Sequence, residues 1–178
     1  KPDTLCINPE MIKKSITKKT ALILPVHFAG MPCDLDEITR LGKEFNLKIV
    51  EDAAHALPTT FKGNIIGSLS SDVTVFSFYA NKTMTTGEGG MVVTGDELLS
   101  NRIKIMRLHG IDRDAFDRFQ SKKPAWYYEV LAPGFKYNMT DISAAMGIHQ
   151  LKKLPRFLQR RQYLAKRYFL LLEGLPLT

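Results

Sequence analysis

Lys82 stands between an apolar, β-prone run and a glycine cluster in "SFYANKTMTTGEGG", residues 77–90. Structural lysines favour solvated helix faces, where the ammonium stays in water. A lysine that attacks carbonyls has a reason to sit at a strand end. It reacts only as the neutral amine, and burial beside another positive charge lowers its pKa toward that state. The plainer alternative is a buried lysine held in an ion pair. Gly87, Gly89 and Gly90 permit tight turns or a close backbone approach. Their spacing matches neither the dinucleotide-binding nor the P-loop pattern.

Asp52 closes the apolar run "LKIVED". A carboxylate at a buried strand end gives up its charge unless a cation faces it. A protonated pyridine nitrogen is such a cation; the alternative is an aspartate that caps the following turn. His55 follows on the same loop, in "EDAAHA", where an imidazole could lie over a flat ring or be a hydrogen-bonded polar histidine. Ser77, upstream of Lys82, could give its hydroxyl to a phosphate oxygen or be an ordinary strand serine. Bonded to pyridoxal 5'-phosphate, Lys82 would be both the cofactor's anchor and the base that moves protons once substrate displaces it. The cofactor would supply the electron sink and the protein its orientation.

These residues need elements to hold them. Asn8 and Pro9 in "NPEMIKKSI" read as a helix N-cap and the first helical position. "TALILPVHF" (20–28) is a continuous apolar run, the pattern of a strand buried on both faces. In "DLDEITRLGKEFN" (34–46), Asp34 is the cap, and Leu35, Ile38 and Leu41 share one face of an amphipathic helix. "LKIVEDAA" (47–54) is the next strand. "TFKGNIIGS" (60–68) reads as a hairpin turning at Lys-Gly-Asn, and "DVTVFSFY" (72–79) and "GGMVVTG" (89–95) as further strands. "DELLSNRIKIMRLHG" (96–110) is a helix stopped by Gly110, followed by a polar, aromatic-dotted loop over 111–137. "TDISAAMGIHQLKKL" (140–154) is a capped helix that Pro155 breaks or kinks before another helix runs to about Leu172. The order predicts an α/β fold with a mostly parallel sheet. Ligands of such sheets sit outside the carboxyl ends of the strands. Asp52 and Lys82 each follow such an end, so both are expected on one rim.

Composition narrows the partners. The chain has 178 residues, is 44% hydrophobic and carries a formal net charge of +7. These values fit one large globular domain, or one with an appendage. Basic residues gather in "QLKKLPRFLQRRQYLAKRY" at helical spacing, the pattern of a solvated helix face, with a nucleic-acid or anion patch the alternative. The aromatic-basic interleaving of nucleic-acid modules is missing, so no nucleic-acid partner is expected. Cys6 and Cys33 lack metal-ligand spacing, which predicts no metal site and reduced thiols in the cytoplasm. Apolar runs are too short to span a bilayer and no signal peptide is visible, so no membrane insertion is expected. A start without Met and an end just after a helix read as a piece of a longer protein.

"VHFAGMPCDLDEI", "IVEDAAHA", "FSFYANKTMTTGEGGMVVT", "RLHG" and "PGFKYNMTDISAAMGIHQLKKL", in this order, resemble the DegT/DnrJ/EryC1/StrS family over roughly residues 20–170. The nearest branch is the enzymes that aminate 4-keto nucleotide sugars, such as UDP-4-amino-4-deoxy-arabinose aminotransferases. The resemblance implies the central part of the large domain of a pyridoxal-phosphate-dependent transferase, the aspartate aminotransferase type or fold type I, with a mostly parallel mixed sheet. Residues 1–137 would be its cofactor-binding portion, and 138–178 helices leading toward a small domain. The implied reaction transfers an amino group, with glutamate the expected donor, to a keto group of a nucleotide-linked sugar in cell-surface or secondary-metabolite biosynthesis. Family members are longer, with an N-terminal phosphate loop and a C-terminal small domain, so this chain alone is expected to be inactive.

Residue by residue, the resemblance makes Lys82 the Schiff-base lysine and Asp52 the partner of the pyridine nitrogen. It sets His55 against the cofactor ring, where many relatives have Gln, and makes Ser77 a phosphate ligand. In many relatives a loop reading Gly-Tyr-Asn-x-Arg sends its Asn to the cofactor phosphate of the neighbouring subunit. Here Lys136 replaces that Asn and Asn138 the Arg, in Gly134-Phe135-Lys136-Tyr137-Asn138. An ammonium suits a phosphate, so either residue is a candidate to reach across a homodimer with shared sites. A dehydratase relative would carry histidine in place of Lys82. A non-catalytic regulator or sensor with this fold would have no use for Asp52 and Lys82 together.

Overall fold

The computed structural model describes residues 1–112 and 126–176. A four-stranded sheet runs in the order β1 (Leu22–Ile23), β2 (Lys48–Asp52), β5 (Val73–Ser77), β6 (Gly90–Val93). The first three strands are parallel, and β6 pairs antiparallel with β5. Pro25 has no N–H to give the ladder, yet its carbonyl still accepts from Asp52 N–H at 2.9 Å. The Val26–Asp52 bridge then extends the β1–β2 pairing to the strand end.

Helix α2 (Leu35–Glu44) covers one face of this sheet. Asp34 caps it, accepting from Glu37 N–H at 3.4 Å. Leu35, Ile38 and Leu41 are buried against Ile23, Ile49 and Phe76. Each fully buried Leu or Ile contributes about 1.5–3 kcal/mol, so this face fixes α2 on the strands. Helix α1 (Pro9–Ser15) starts at Asn8, whose Oδ1 accepts from Glu10 N–H at 3.0 Å, and it buries Ile12.

The other face is open among the described residues. Leu22 is 44%, Leu24 50% and Val26 40% exposed, with Val75 and Val92 similarly exposed beside them. The run 20–28 is therefore not buried on both faces. It alternates, turning Ile23, Pro25 and His27 inward. A run that is apolar at every position does not record which faces other elements cover.

The hairpin β3 (Thr60–Phe61) and β4 (Asn64–Ile65) turns on Lys62 and Gly63, with φ of 49° and 83°. Positive φ at both central residues marks a type I′ turn, so Asn64 belongs to the strand. Helix α3 (Glu97–Met106), capped by Asp96, ends before Gly110. The segment near 135 takes over there: Phe135 N–H donates to Met106 O at 2.7 Å and His109 N–H to Phe135 O at 2.9 Å. The expected loop 111–137 is thus partly paired, through Leu108–Lys136 and Ile111–Val130 bridges; its residues 113–125 lie outside the described ones. Helix α4 (Asp141–Leu172), capped by Thr140, runs on through Pro155 as one element. Proline there removes the hydrogen bond to the Leu151 carbonyl, and the flanking turns carry the helix across the gap. Among the described residues no helix is long and apolar enough to cross a membrane.

Candidate active site

Residues 78–89 join β5 to β6 and carry Lys82. The connection is pinned at both ends: Phe78 N–H donates to Gly89 O at 2.8 Å, and Thr86 N–H to Phe78 O at 2.9 Å. Thr86 Oγ1 donates to Glu88 O at 2.7 Å. A Cβ on Gly89 would meet Thr86 Oγ1 at 2.5 Å, and one on Gly90 would meet Phe76 O at 2.7 Å. These glycines let the loop fold back on its own strand. Within it, Lys82 is half-buried in a turn, its N–H donating to Tyr79 O at 3.1 Å.

Lys82 lines a cavity of about 220 Å³ together with His55, Ser77, Asn81, Thr83 and Arg161, and none of the lining residues is acidic. His55 comes from the loop after β2, Ser77 from the end of β5, and Arg161 from α4. Asp52 is not in this lining. It pairs with Val75 across the β2–β5 ladder, so its side chain leaves the sheet on the face shared by Val75 and Ser77. Its Oδ1 accepts from Ala54 N–H at 3.0 Å, which makes Asp52 a turn cap whatever else it does. Lys136 and Asn138 hydrogen-bond each other and stand apart from the cavity.

The opposite face of β2 holds a second polar group. Glu51 and His27 are both fully buried, with His27 Nε2 at 2.7 Å from Glu51 Oε2. Cys33 N–H donates to His27 Nδ1 at 3.0 Å. Since Nδ1 accepts, the ring proton is on Nε2 and is given to Glu51. Thr74 Oγ1 donates to Glu51 Oε1 at 3.2 Å. Burial pushes the Glu51 carboxyl up, and the hydrogen bonds from His27, Ser71 and Thr74 outweigh it, so the net shift is downward. Burial, and then neighbouring Cys6, pushes the Cys33 thiol up to about 12. A thiol so raised is inert as a nucleophile near neutral pH. Both cysteines are free. No cluster that could hold a metal occurs among the described residues.

Sequence reading missed Arg161, His27 and Glu51. Arg161 lay in what read as a solvated basic face, and only tertiary packing brings it to Lys82. The acid pair "ED" was a usable signal for Glu51. On a strand, adjacent residues point to opposite faces, so one carboxylate had to enter the core and needed a partner.

Solved structures of sugar aminotransferases superpose on this fold. PseC of Helicobacter pylori, an aminotransferase of pseudoaminic acid biosynthesis, aligns with a TM-score of 0.86 at 32% identity, covering 96% of this chain and 43% of its own. A putative sugar aminotransferase of Streptococcus pneumoniae, in its PMP form, gives 0.85 at 36% identity, covering 98% and 48%. The architecture is that of fold type I, the aspartate aminotransferase type. The DegT/DnrJ/EryC1/StrS aminotransferase family profile matches residues 1–178, and the chain belongs to that family. Among curated relatives, an uncharacterized protein of Methanocaldococcus jannaschii is 52% identical over 176 residues, 97% of this chain and 45% of that protein. The spore coat polysaccharide biosynthesis protein SpsC of Bacillus subtilis is 45% identical over 174 residues, 98% and 44%. The chain thus spans a little under half the length of these relatives.

Proposed function

We propose that this chain supplies the cofactor-binding core of a pyridoxal-phosphate-dependent aminotransferase that aminates a keto group of a nucleotide-linked sugar, with glutamate as donor. The observation that carries the reading is the meeting of Lys82, Ser77 and His55 around one cavity, beside the sheet face from which Asp52 projects. The donor set fits the cofactor: an amine for its aldehyde carbon, a hydroxyl for its phosphate, a carboxylate for its ring nitrogen. A lining without acidic residues leaves an anionic group unopposed.

When bound, pyridoxal phosphate supplies the electron sink. The chain's own residues do the rest. Lys82 Nζ would hold the cofactor by condensing with its aldehyde, with loss of water, and as the freed amine would take and return a proton as general base and acid. Asp52 would hold the ring nitrogen in its protonated form, because a carboxylate favours a facing cation. Ser77 would donate to the phosphate, and His55 would lie against the ring. Leu57 and Met84 form part of the apolar side of the same cavity.

The part PseC plays in pseudoaminic acid biosynthesis and SpsC in spore coat polysaccharide favours a cell-surface sugar as the product. The working form in this reading is a cytoplasmic homodimer in which Lys136 or Asn138 reaches the neighbour's phosphate. Residues 1–137 bind the cofactor, and 138–178 lead toward a small domain. The test is borohydride reduction of the full-length, cofactor-competent enzyme incubated with pyridoxal phosphate, followed by peptide mapping. The tag is expected on Lys82; a tag on any other lysine, or none, overturns the assignment.

A further inference from the structure

We infer that Arg161 is the oxyanion anchor of this cavity, binding a carboxylate or a phosphate group through its guanidinium. Arg161 is an exposed residue of α4, the helix that continues through Pro155, and it lines the same cavity as the loop of Lys82. Its neighbours on the same helix are engaged elsewhere: Arg160 stacks on the Tyr163 ring at 5.1 Å and Arg167 lies 6.0 Å from that ring. Arg161 itself has no ion pair, hydrogen bond or ring contact among the described residues. Lys82 and Arg161 both line a space whose lining includes no acidic residue, and the Asp52 carboxylate beside it is engaged by Ala54 N–H.

Cations gathered without a counter-charge repel one another, and an entering anion relieves that repulsion. Arginine adds shape to charge. Its planar fork offers parallel N–H donors that fit the two oxygens of a carboxylate or phosphate, and it never deprotonates near neutral pH. Asn81 and Thr83, also in the lining, add uncharged donors that hold an oxyanion in one orientation. The chemistry is shared by two sources, the carboxylate of an amino donor and a phosphate of the cofactor or sugar nucleotide. Naming those sources rests on the aminotransferase reading; anion binding by Arg161 does not.

The experiment therefore uses the intact protein freed of cofactor, at low ionic strength, with two unreactive probes: glutarate and inorganic phosphate. Isothermal titration compares the parent with Arg161→Gln, Arg161→Lys and Arg160→Gln. Loss of one charge-assisted bidentate contact weakens binding about 10- to 100-fold. Arg161→Gln is expected to show that loss for at least one probe, with Arg161→Lys in between because it keeps charge without the fork. Arg160→Gln is expected to leave both affinities within about twofold, since exposed substitutions away from a site have small effects. Loss for glutarate alone assigns the anchor to the donor's carboxylate; loss for phosphate, alone or with glutarate, assigns it to a phosphate. Parent-like binding of both probes by Arg161→Gln, equal weakening by Arg160→Gln, or no binding by the parent overturns the inference. A failed borohydride tag on Lys82 with these titrations intact would instead remove the aminotransferase reading and leave Arg161 as an anion site.

Discussion

His27→Ala is the sharpest test of the buried polar group behind β2. The substitution deletes the donor 2.7 Å from Glu51 and leaves that carboxylate, fully buried, with Thr74 at 3.2 Å and Ser71. Removing one partner of a buried pair costs about 3–5 kcal/mol, because the remaining group keeps its desolvation penalty. For a chain of this size each kcal/mol moves Tm by about 2–4 °C, so a drop of roughly 6–20 °C is expected in calorimetry. Glu51→Gln keeps an acceptor for the imidazole N–H and should cost only about 1 kcal/mol. The pH dependence separates the two. A carboxyl held below its ordinary 4.5 gives stability that is full above that value and lost as pH falls through the lower folded value. The stability difference between parent and Glu51→Gln should therefore be constant above pH 4.5 and shrink below it. A His27→Ala protein within about 1 kcal/mol of the parent would refute the reasoning, since a buried carboxylate cannot lose its best donor so cheaply.

Three further outcomes are expected. Gly110→Ala should destabilise strongly in urea unfolding, because its φ is 73° and a Cβ would lie 1.8 Å from Ala132 O; an unchanged midpoint would mean the 131–137 segment gives way freely. In a full-length enzyme, Asp52→Ala should lower kcat by about 10²–10³-fold, the usual loss of one preorganised electrostatic contact, whereas near-parent turnover in Asp52→Asn would leave Asp52 only the turn cap seen at Ala54. In the full-length enzyme, mixing Lys82→Ala with Lys136→Ala/Asn138→Ala protein should restore activity if sites are shared between subunits; no recovery after demonstrated subunit exchange would show that the loop does not cross.

The elements with local signals were legible. Asp34 with Leu35, Ile38 and Leu41 spelled out α2, and Asn8-Pro9 marked the start of α1, because caps and helical period are set within one segment. Lys62-Gly63 fixed the hairpin turn for the same reason. The strand ends were also within reach, and they drew attention to Asp52 and Lys82 as residues of one rim. What failed was whatever depends on distant partners. The 20–28 run looked doubly buried, yet Leu22, Leu24 and Val26 face no described element. Pro155 looked like a break, but one missing hydrogen bond did not outweigh the turns on either side. Arg161 belonged to a basic stripe with no internal mark that one of its members reaches a cavity.

The pinned connection between β5 and β6 also bears on the order in which the site assembles. Antiparallel neighbours joined directly make contacts of low sequence separation, and such contacts form early because little loop entropy is lost in closing them. Ser77 and the loop of Lys82 belong to that local unit, tied by Phe78, Thr86 and Gly89. Asp52 joins it only when β2 pairs in parallel with β5, across the intervening β3–β4 hairpin. Parallel pairing at that separation is the slower event. A folding chain therefore frames the lysine first and receives the aspartate last, so that mutations in the β2–β5 ladder should slow completion of the site without disturbing the lysine loop.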